Sequence, residues 1–207
     1  MWDISLITIV RNGMPYLQET YESILKLKDH NIEWVVQDSE STDGTLEFLI
    51  SIQPPFKISS VSEKDKCMQV GWNRAVRRAT YDIIASIDVD NKSLPEALGI
   101  ASRYFEEDPE LAGLFGSEDL IGPDAESIGE LHPPEFDLTE LLQNWLVPPW
   151  NSSVFRKSIC GEGLISDLNI ETCPEFDNGL RMSNLKIIRV KEKLAITRLR
   201  NASLSCT

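Results

Sequence analysis

The stretch Tyr81-Asp82-Ile83-Ile84-Ala85-Ser86-Ile87-Asp88-Val89-Asp90-Asn91 decides the fold that the sequence predicts. Its centre is an almost unbroken apolar run, which is typical of a strand covered on both faces. Two acids follow, and if strand geometry continues, the carboxylates of Asp88 and Asp90 project to the same side. Two such carboxylates can share one hard cation, whose oxygen shell is completed by water and phosphates. The stretch therefore predicts a diphosphate-bearing ligand at the carboxyl end of a central strand.

The same residues also have an ordinary structural interpretation. Asp and Asn favour turns and helix caps, and Ser93-Leu94-Pro95-Glu96 is typical of a helix start. A short acidic motif alone does not distinguish a metal site from a loop. Motifs elsewhere in the sequence are needed to distinguish a metal site from an ordinary loop.

Three alternations of strand and helix precede this stretch. Strands are predicted over residues 4–10, 32–37 and 56–61, and a helical pattern follows each of them. Alternations that lead to a fourth strand predict an α/β fold with a mostly parallel sheet. Ligands of such sheets lie beyond the carboxyl ends of the strands, so we expect the loops after all four strands to share one crevice.

The second half of the chain has weaker patterns. An acidic segment rich in Gly and Pro, residues 117–134, predicts a long loop or lid. The other predicted elements are helices over 93–105 and 136–146, a helix containing Leu180 and Met182, and strands over 111–116, 185–190 and 194–197.

Length and charge limit the possible functions. The 207 residues fit one domain, and the 42% hydrophobic content is that of a globular protein. The net charge of −13 disfavours a broad nucleic-acid interface, so we expect no nucleic-acid partner. An acidic protein that binds an anionic diphosphate needs a metal ion or a local basic group to offset the repulsion.

Location and thiol chemistry follow from simple features. The sequence has no apolar run long enough to span a bilayer and no basic segment typical of a signal peptide, so we expect a cytoplasmic location. Cys67, Cys160, Cys173 and Cys206 are widely spaced, which predicts reduced thiols and neither a zinc site nor a disulfide framework.

The motifs, taken in order, resemble those of family 2 glycosyltransferases of the GT-A fold. The resemblance implies an α/β, GT-A-like three-layer α/β/α sandwich with a mostly parallel, mixed central sheet. It implies a single domain in which residues 1–92 bind a nucleotide sugar and residues 93–207 bind the acceptor. The segments that carry it are Ile7-Thr8-Ile9-Val10-Arg11-Asn12, Gln37 to Thr45, Ser62-Glu63-Lys64-Asp65-Lys66, Trp72-Asn73-Arg74-Ala75 and Asp82 to Asp90.

The resemblance also implies an activity. Such enzymes transfer a sugar from a UDP-, GDP- or dTDP-sugar to an acceptor hydroxyl, with inversion at the anomeric carbon and with Mn²⁺ or Mg²⁺ as cofactor. The implied acceptor is a glycan or a lipid-linked molecule in polysaccharide or glycan synthesis. A lipid-linked acceptor would bring the protein to the membrane surface.

Residues on the donor side are assigned by the same resemblance. Asp38 would bind the nucleotide base, and Thr8 and Val10 would line its pocket. The family often has Asp or Gly where this chain has Ser39 and Glu40, which leaves the identity of the base open. A competing interpretation is that Ser41 to Gly44 simply turn the chain and cap a helix.

Four further residues complete this side of the site by resemblance. Asp65 would contact the nucleoside and Lys66 could face phosphate, although both could be solvated loop charges. Asp88 and Asp90 match the metal-binding motif, and Asp90 is the stronger candidate.

The catalytic base of an inverting transfer takes the proton of the attacking hydroxyl. By resemblance it lies at the start of a late helix, where this chain has Glu175 and, as the alternative, Asp177. Acids in a first helical turn also stabilise the helix dipole without any catalytic role.

Aromatic residues and one histidine offer weaker hypotheses. Trp145 and Trp150, beside Asn151, could stack on a sugar or form a hydrophobic plug. His132 could contact phosphate or metal, or be structural.

Two other functions compete with the glycosyltransferase. A noncatalytic sugar-nucleotide binding module would share the donor motifs but lack the chemistry. A nucleotidyltransferase would share the layered core, but the Gly-rich basic loop expected after its first strand is missing, since this chain has Arg11-Asn12-Gly13 there.

Overall fold

The first half of the chain alternates between strands and helices, as predicted. The computed structural model describes residues 2–27, 31–145, 147–170 and 173–199. Strands β3, β2, β1 and β4 lie side by side in that order and are all parallel. The elements are β1 (Asp3–Val10), α1 (Tyr16–Ile24), β2 (Asn31–Asp38), α2 (Thr45–Ser51), β3 (Lys57–Ser62), α3 (Met68–Arg78) and β4 (Ile83–Ser86).

The second half extends the same sheet with mixed strand directions. It contributes β5 (Lys92–Ser93), α4 (Ala97–Glu107), β6 (Gly113–Ile121), β7 (Ser127–Leu131), α5 (Leu138–Asn144), β8 (Ser153–Arg156), α6 (Lys157–Cys160), α7 (Pro174–Met182) and β9 (Ile187–Arg198). Single 3-10 turns cover Trp150–Ser152 and Gly161–Leu164. The order in the described sheet is β3-β2-β1-β4-β8-β6-β9-β5, with β7 on β6. Strand β8 is antiparallel to β4 and to β6, while β6 and β9 are parallel.

Helices cover both faces of this sheet, so the predicted three-layer arrangement is confirmed. One hydrophobic core packs α1 and α4 against the sheet through Leu17, Ile24 and Phe105. The second core lies on the opposite face, where Val76 of α3 and Met182 of α7 are buried. Fully burying a side chain of this size contributes roughly 1.5–3 kcal/mol, which explains why both faces of the central strands are apolar.

The predicted lid over residues 117–134 is wrong in part. Strand β6 continues to Ile121 and forms an antiparallel hairpin with β7. The apolar pattern stops at Gly116 because the next two residues, Ser117 and Glu118, are polar but buried. Polarity therefore concealed the extension of the strand.

Strand β9 replaces the two short strands predicted near the end of the chain. Its charged middle resembles a turn in the sequence. Lys193 instead bonds across the sheet to Asp119 at 2.6 Å and to Glu130 at 2.7 Å. These cross-strand ion pairs allow one strand to continue through the charged segment.

The structure describes three of the four cysteines. Cys67, Cys160 and Cys173 are free thiols, whereas Cys206 lies outside the described residues. In the described ranges, none of the helices combines the length and the apolar character that crossing a bilayer requires.

Candidate functional site

The carboxyl ends of the four parallel strands form one edge of the sheet, which we call the carboxyl edge. Val10 pairs with Asp38, and Asp38 pairs with Ser62, so β1, β2 and β3 end at the same level. Strand β4 ends beside β1, where the Ile87 amide donates to the Ile7 carbonyl at 2.9 Å. The four strands therefore end along one edge of the sheet, and the loops that follow them begin there.

The loops after β1 and β2 are joined by hydrogen bonds. The Asn12 amide donates to Ser41 Oγ at 2.7 Å, and Asn12 Oδ1 accepts from the Thr42 amide at 2.8 Å. Asp43 accepts from the Met14 amide at 2.8 Å and from the Thr45 hydroxyl at 2.6 Å. Ser41 and Asp43 therefore do fix a turn, as the competing interpretation of this motif expects.

Asp38 is fully buried at the end of β2 and its carboxylate is held in place. It accepts hydrogen bonds from the Ser41 amide and hydroxyl and from Ser62 Oγ, the last at 2.5 Å. The carboxylate orientation is thus set before any ligand binds.

The side chains of Thr8 and Val10 are buried beside Asp38. Thr8 Oγ1 donates to the Ile87 carbonyl at 2.8 Å and accepts from Trp34 Nε1 at 3.0 Å. Thr8 has no exposed surface and Val10 is 2% exposed, and the Val10 carbonyl accepts from the Ser39 amide at 2.8 Å.

Asp65 and Lys66 differ sharply in their surroundings. The Asp65 side chain is only 2% exposed, pairs with Arg74 and accepts from Gln37 Nε2 at 3.3 Å. The Asp65 amide also donates to Ser39 Oγ at 3.3 Å, which joins the loops after β2 and β3. Asp65 is therefore not a solvated loop charge, whereas Lys66 is exposed.

The predicted acid pair lies in a turn, and the strand geometry expected for it is wrong. Strand β4 ends at Ser86, and the Asn91 amide donates to the Asp88 carbonyl at 3.0 Å. We call residues 88–91 the acid turn. Thr20 Oγ1 lies 2.8 Å from both the Val89 and the Asn91 carbonyls, so α1 holds the turn from one side.

Arg198 holds the acid turn from the other side, and the sequence offered no signal for it. Its guanidinium is 1% exposed and donates to the carbonyls of Asp90 at 3.2 Å and Pro123 at 2.7 Å. It also bonds to Glu19 at 2.8 Å and lies over the Tyr16 ring at 4.9 Å. A buried, multiply bonded guanidinium fixes the backbone of the turn.

The charged form of Asp88 is disfavoured by its surroundings. Burial among the surrounding protein atoms, followed by repulsion from Asp90, raises the pKa of Asp88 to about 6, although part of the residue is open to solvent. Glu118 raises this pKa further, while a hydrogen bond from Asn151 acts in the opposite direction. None of these dominant groups is a cation, so the site favours an added positive charge. Glu118 was missed because it lies beyond the predicted end of its strand.

The acid turn suits a partly hydrated cation. Across residues 2–27, 31–145, 147–170 and 173–199, no three Asp, Glu, His or Cys side chains are grouped as a metal site. Mg²⁺ is usually bound by one or two carboxylates together with water and substrate phosphates, so Asp88 and Asp90 fit such an ion. His132 instead contacts Ser117 Oγ at 3.0 Å and Glu130 at 3.1 Å.

Helix α7 carries both candidates for the catalytic base. Asp177 is paired with Arg181, four residues further along the helix. Glu175 is half-buried in the first turn, and its carboxylate has no hydrogen bond within the described part of the chain. Within the described residues, no hydrogen bond or ion pair joins the Glu175 side chain to the acid turn.

The two tryptophans have different environments. Trp150 packs against Trp72 and Phe155, with ring centroids 5.1 Å and 5.5 Å away. This packing is the one expected of a hydrophobic plug. Trp145 is 64% exposed and lies 4.7 Å from the Phe176 ring, next to Glu175.

Buried amides fix α7 relative to α3. Asn73 and Ser166 exchange two hydrogen bonds of 2.8 Å between side chain and main chain. Ser166 Oγ lies 3.1 Å from Asn178 Oδ1, and Asn178 Nδ2 donates to the Gly163 carbonyl at 2.6 Å. This network sets the position of Glu175.

Residues 5–160 match the profile described as glycosyl transferase family 2. The chain belongs to glycosyl transferase family 2. The match covers the parallel strands, the acid turn and β8, and it confirms the resemblance seen in the sequence motifs.

Two curated glycosyltransferases are similar in sequence. An uncharacterised glycosyltransferase of Nostoc sp. PCC 7120 is 24% identical over 166 residues, which cover 75% of this chain and 51% of that protein. TuaG of Bacillus subtilis, a glycosyltransferase named for teichuronic acid biosynthesis, is 26% identical over 208 residues, 98% of this chain and 81% of TuaG. The chain thus spans about half the length of the Nostoc relative.

Solved structures of glycosyltransferases share the fold. S. aureus TarS 1–349 in complex with UDP-GlcNAc has a TM-score of 0.75 at 18% identity, over 99% of this chain and 61% of that one. The mannosyltransferase PcManGT of Pyrobaculum calidifontis, in complex with GDP-Man and Mn²⁺, has a TM-score of 0.70 at 16% identity. The likeness covers 97% of this chain and 58% of that one. Together with the family match, these likenesses confirm the GT-A fold.

Proposed function

We propose that this chain is a metal-dependent, inverting glycosyltransferase that moves a sugar from a nucleotide-diphosphate donor to an acceptor hydroxyl. The observation that carries the proposal is the acid turn, which presents Asp88 and Asp90 at the carboxyl edge with no cation among the groups that dominate the pKa of Asp88. An acidic site facing a diphosphate requires a cation between them. The proposed ion is Mn²⁺ or Mg²⁺.

On the donor side, we assign residues 1–92 to nucleotide-sugar binding. The buried Asp38 carboxylate is oriented by Ser41 and Ser62 and can accept a hydrogen bond from a base N–H. By the family resemblance, Thr8 and Val10 border the base and Asp65 contacts the nucleoside. The exposed Lys66 can reach phosphate. The UDP-GlcNAc complex of TarS and the GDP-Man complex of PcManGT support a nucleotide-sugar donor.

For the chemistry, Glu175 takes the proton of the acceptor hydroxyl as the hydroxyl attacks the sugar. Asp177 is less suited to this role because Arg181 is its ion-pair partner. A bound divalent ion would offset the charge that develops on the leaving diphosphate.

We assign residues 93–207 to acceptor binding. The proposed acceptor is a glycan or a lipid-linked molecule. The exposed ring of Trp145, paired with Phe176 beside Glu175, can stack on a sugar face. The name of the Bacillus relative supports an acceptor in polysaccharide synthesis. The free thiols Cys67 and Cys173 are consistent with action in the cytoplasm.

The test is calorimetric titration of UDP, GDP and dTDP with and without MnCl₂. We expect at least one of them to bind more tightly with Mn²⁺, and we expect Asp90→Ala to remove this difference. The exposed Asp124→Ala variant is the matched control. Equal binding with and without the ion for all three nucleotides refutes the metal dependence.

A second assay separates an enzyme from a binding module. Sugar nucleotides are incubated with Mn²⁺, and release of the nucleoside diphosphate is followed. Donor hydrolysis or transfer supports the enzyme. Tight binding with neither reaction over a panel of acceptors supports the module.

A further inference from the structure

Strand β3 lies at one end of the sheet, and its outer edge is open. Among the residues that the structure describes, it pairs with β2 alone, in a parallel register without a shift. All six residues of β3 are at least partly exposed, whereas β1 and β2 are buried along most of their length. Helix α3 packs chiefly over β1 and β2. The outer edge of β3 therefore presents main-chain groups that can pair with a further strand.

The two ends of the sheet differ in how they are protected against such pairing. Natural proteins blunt an edge strand by shortening it, by a bulge, by proline or charged side chains, or by a covering element. Strand β5, at the opposite end, has only two residues. Strand β3 has six residues with no proline and no register shift, and Lys57 is its one charged residue. An edge of this kind is a template for another strand.

The hydrogen bonding to β2 shows which main-chain groups of β3 point outwards. The Glu63 amide, directly after β3, donates to the Asp38 carbonyl of β2 at 3.0 Å. Successive residues of a strand point their main-chain groups to opposite sides, so residues 57, 59 and 61 also face β2. Residues 58, 60 and 62 therefore direct their amides and carbonyls to the open edge.

One antiparallel register pairs these three residues with the same three residues of a second copy. Centred on Ser60, it places Ser60 opposite Ser60 of the second copy, and Ile58 opposite Ser62. Each such pair exchanges two N–H···O bonds, so the junction contains about six of them. Any other register leaves at least one of the three residues without a partner among them.

The same register brings opposite charges together at both ends of the junction, because Lys57 lies opposite Glu63 of the second copy. Lys57 Nζ contacts Glu33 at 2.9 Å and a threonine hydroxyl at 3.4 Å, and with its side chain 52% exposed the ammonium keeps a third donor. The contacts of Glu63 with Arg74 at 3.5 Å and with Gln37 at 3.4 Å use Oε1, so Oε2 can face the second copy. Opposite charges on facing positions stabilise antiparallel pairs.

We propose that two copies of this chain associate through β3 into a closed, two-fold symmetric dimer with one continuous sheet. The contact uses the β3 edge of both copies, and the two-residue β5 is too short an edge for further growth, so assembly stops at the dimer. Because the two β3 strands run antiparallel, the carboxyl edges of the two copies face opposite directions. The inference does not depend on the proposed activity.

The first experiment measures association by sedimentation velocity over a range of protein concentrations. Ser60→Pro removes an outward amide at an exposed position and leaves the pairing with β2 intact. Glu63→Lys places a lysine opposite Lys57 of the second copy. The control is Glu107→Lys, which makes the same charge reversal at an exposed position of α4. Thermal unfolding of each variant is recorded in parallel.

The second experiment locates the contact by cross-linking. Ser60→Cys places one thiol of each copy at the two-fold axis, with the two Cα atoms about 5.5 Å apart. A short bismaleimide should join this variant into dimers above the level given by the native cysteines of the unmodified chain, of which Cys67 and Cys173 are exposed. Ser127→Cys, on the exposed strand β7, is the matched control and should stay at that level.

We expect the unmodified chain to form a reversible dimer. Ser60→Pro should raise its dissociation constant by about 10- to 100-fold, because each copy loses one donor to the other. Glu63→Lys should raise the dissociation constant by about tenfold, because like charges then face each other. Glu107→Lys should associate as the unmodified chain does.

Several results would overturn the inference. One is a monomer at every concentration, and another is a dimer that Ser60→Pro and Glu63→Lys leave unchanged, because such a dimer uses a different surface. Assemblies larger than a dimer also contradict it. Should Ser60→Pro not fold, unchanged association of Glu63→Lys, or equal cross-linking of Ser60→Cys and Ser127→Cys, overturns the inference. None of these results bears on the binding of nucleotides, so the proposed function is tested separately.

Discussion

Glu33 provides the most quantitative test of how this fold is stabilised. It lies on β2 with no exposed surface and accepts hydrogen bonds from Lys57 Nζ at 2.9 Å and Ser5 Oγ at 2.5 Å. The Thr80 amide and hydroxyl also donate to it. One carboxylate thus joins β1, β2, β3 and the end of α3. The perturbation is Glu33→Gln, which keeps the shape and removes the charge.

The expected magnitude follows from the pKa. Burial alone would raise it, but the hydrogen bonds from Lys57, Ser5 and Thr80 outweigh burial and lower the pKa of Glu33 from 4.5 to about 2. A lowered carboxylate pKa stabilises the folded state at pH values above 4.5, and the contribution is lost as the pH falls towards 2. The difference corresponds to about 3 kcal/mol at pH 7 and about 1 kcal/mol at pH 3.

The assay is urea unfolding followed by tryptophan fluorescence at pH 7, 5, 4 and 3. We expect Glu33→Gln to be less stable by about 3 kcal/mol at pH 7 and the deficit to shrink by about 2 kcal/mol at pH 3. The exposed Glu47→Gln variant is the matched control and should show neither effect. A deficit that is absent at pH 7, or that stays constant down to pH 3, would refute the reasoning.

Three further predictions concern the site and its supports. Glu175→Gln should lower kcat by about 10²- to 10⁴-fold with donor and Mn²⁺ affinity nearly unchanged, because only the proton acceptor is lost. Asp177→Asn is the comparison, and a fully active Glu175→Gln variant, or one that loses binding and folding together, would argue against this base. Arg198→Lys should weaken Mn²⁺ binding by about tenfold and speed amide exchange at residues 88–91, because lysine lacks the planar guanidinium that reaches several carbonyls. The exposed Arg103→Lys variant is the control, and equal exchange rates in the two variants would contradict this prediction. Asn178→Ala should lower the free energy of unfolding by about 1–3 kcal/mol, since it leaves the Gly163 carbonyl unpaired, and should also lower kcat. Asn144→Ala, whose amide is exposed, is the control, and equal stability and activity of the two variants would show that the buried network does not matter.

Local patterns were sufficient for the donor half of the molecule. The apolar runs of β1, β2 and β4 alternate with helical patterns, and short polar segments mark where each strand ends. Parallel strands that are connected through helices must end at the same edge, so the position of Asp38, Asp65, Asp88 and Asp90 followed from order alone. The edge of the sheet at which these acids lie was therefore predictable in outline.

Local patterns were misleading where polar residues are buried or where charges pair across strands. Glu118 breaks the apolar run of β6, so its strand was predicted to end at Gly116. Lys193 resembles part of a turn, yet its partners on β6 and β7 keep it within β9. In both cases the energy that decides the structure comes from residues far away in the sequence.

The sequence by itself determined the class of fold, the family and the acids at the carboxyl edge, because hydrophobic periodicity and strand ends are local properties. Only the tertiary structure decided how the acid turn is held and which groups surround it. Arg198 reaches the Asp90 carbonyl across 108 positions of the chain. Glu118 of β6 and Asn151, in the 3-10 turn before β8, both act on the pKa of Asp88. Such contacts depend on how distant segments pack, and nothing in the residues near Asp88 specifies them.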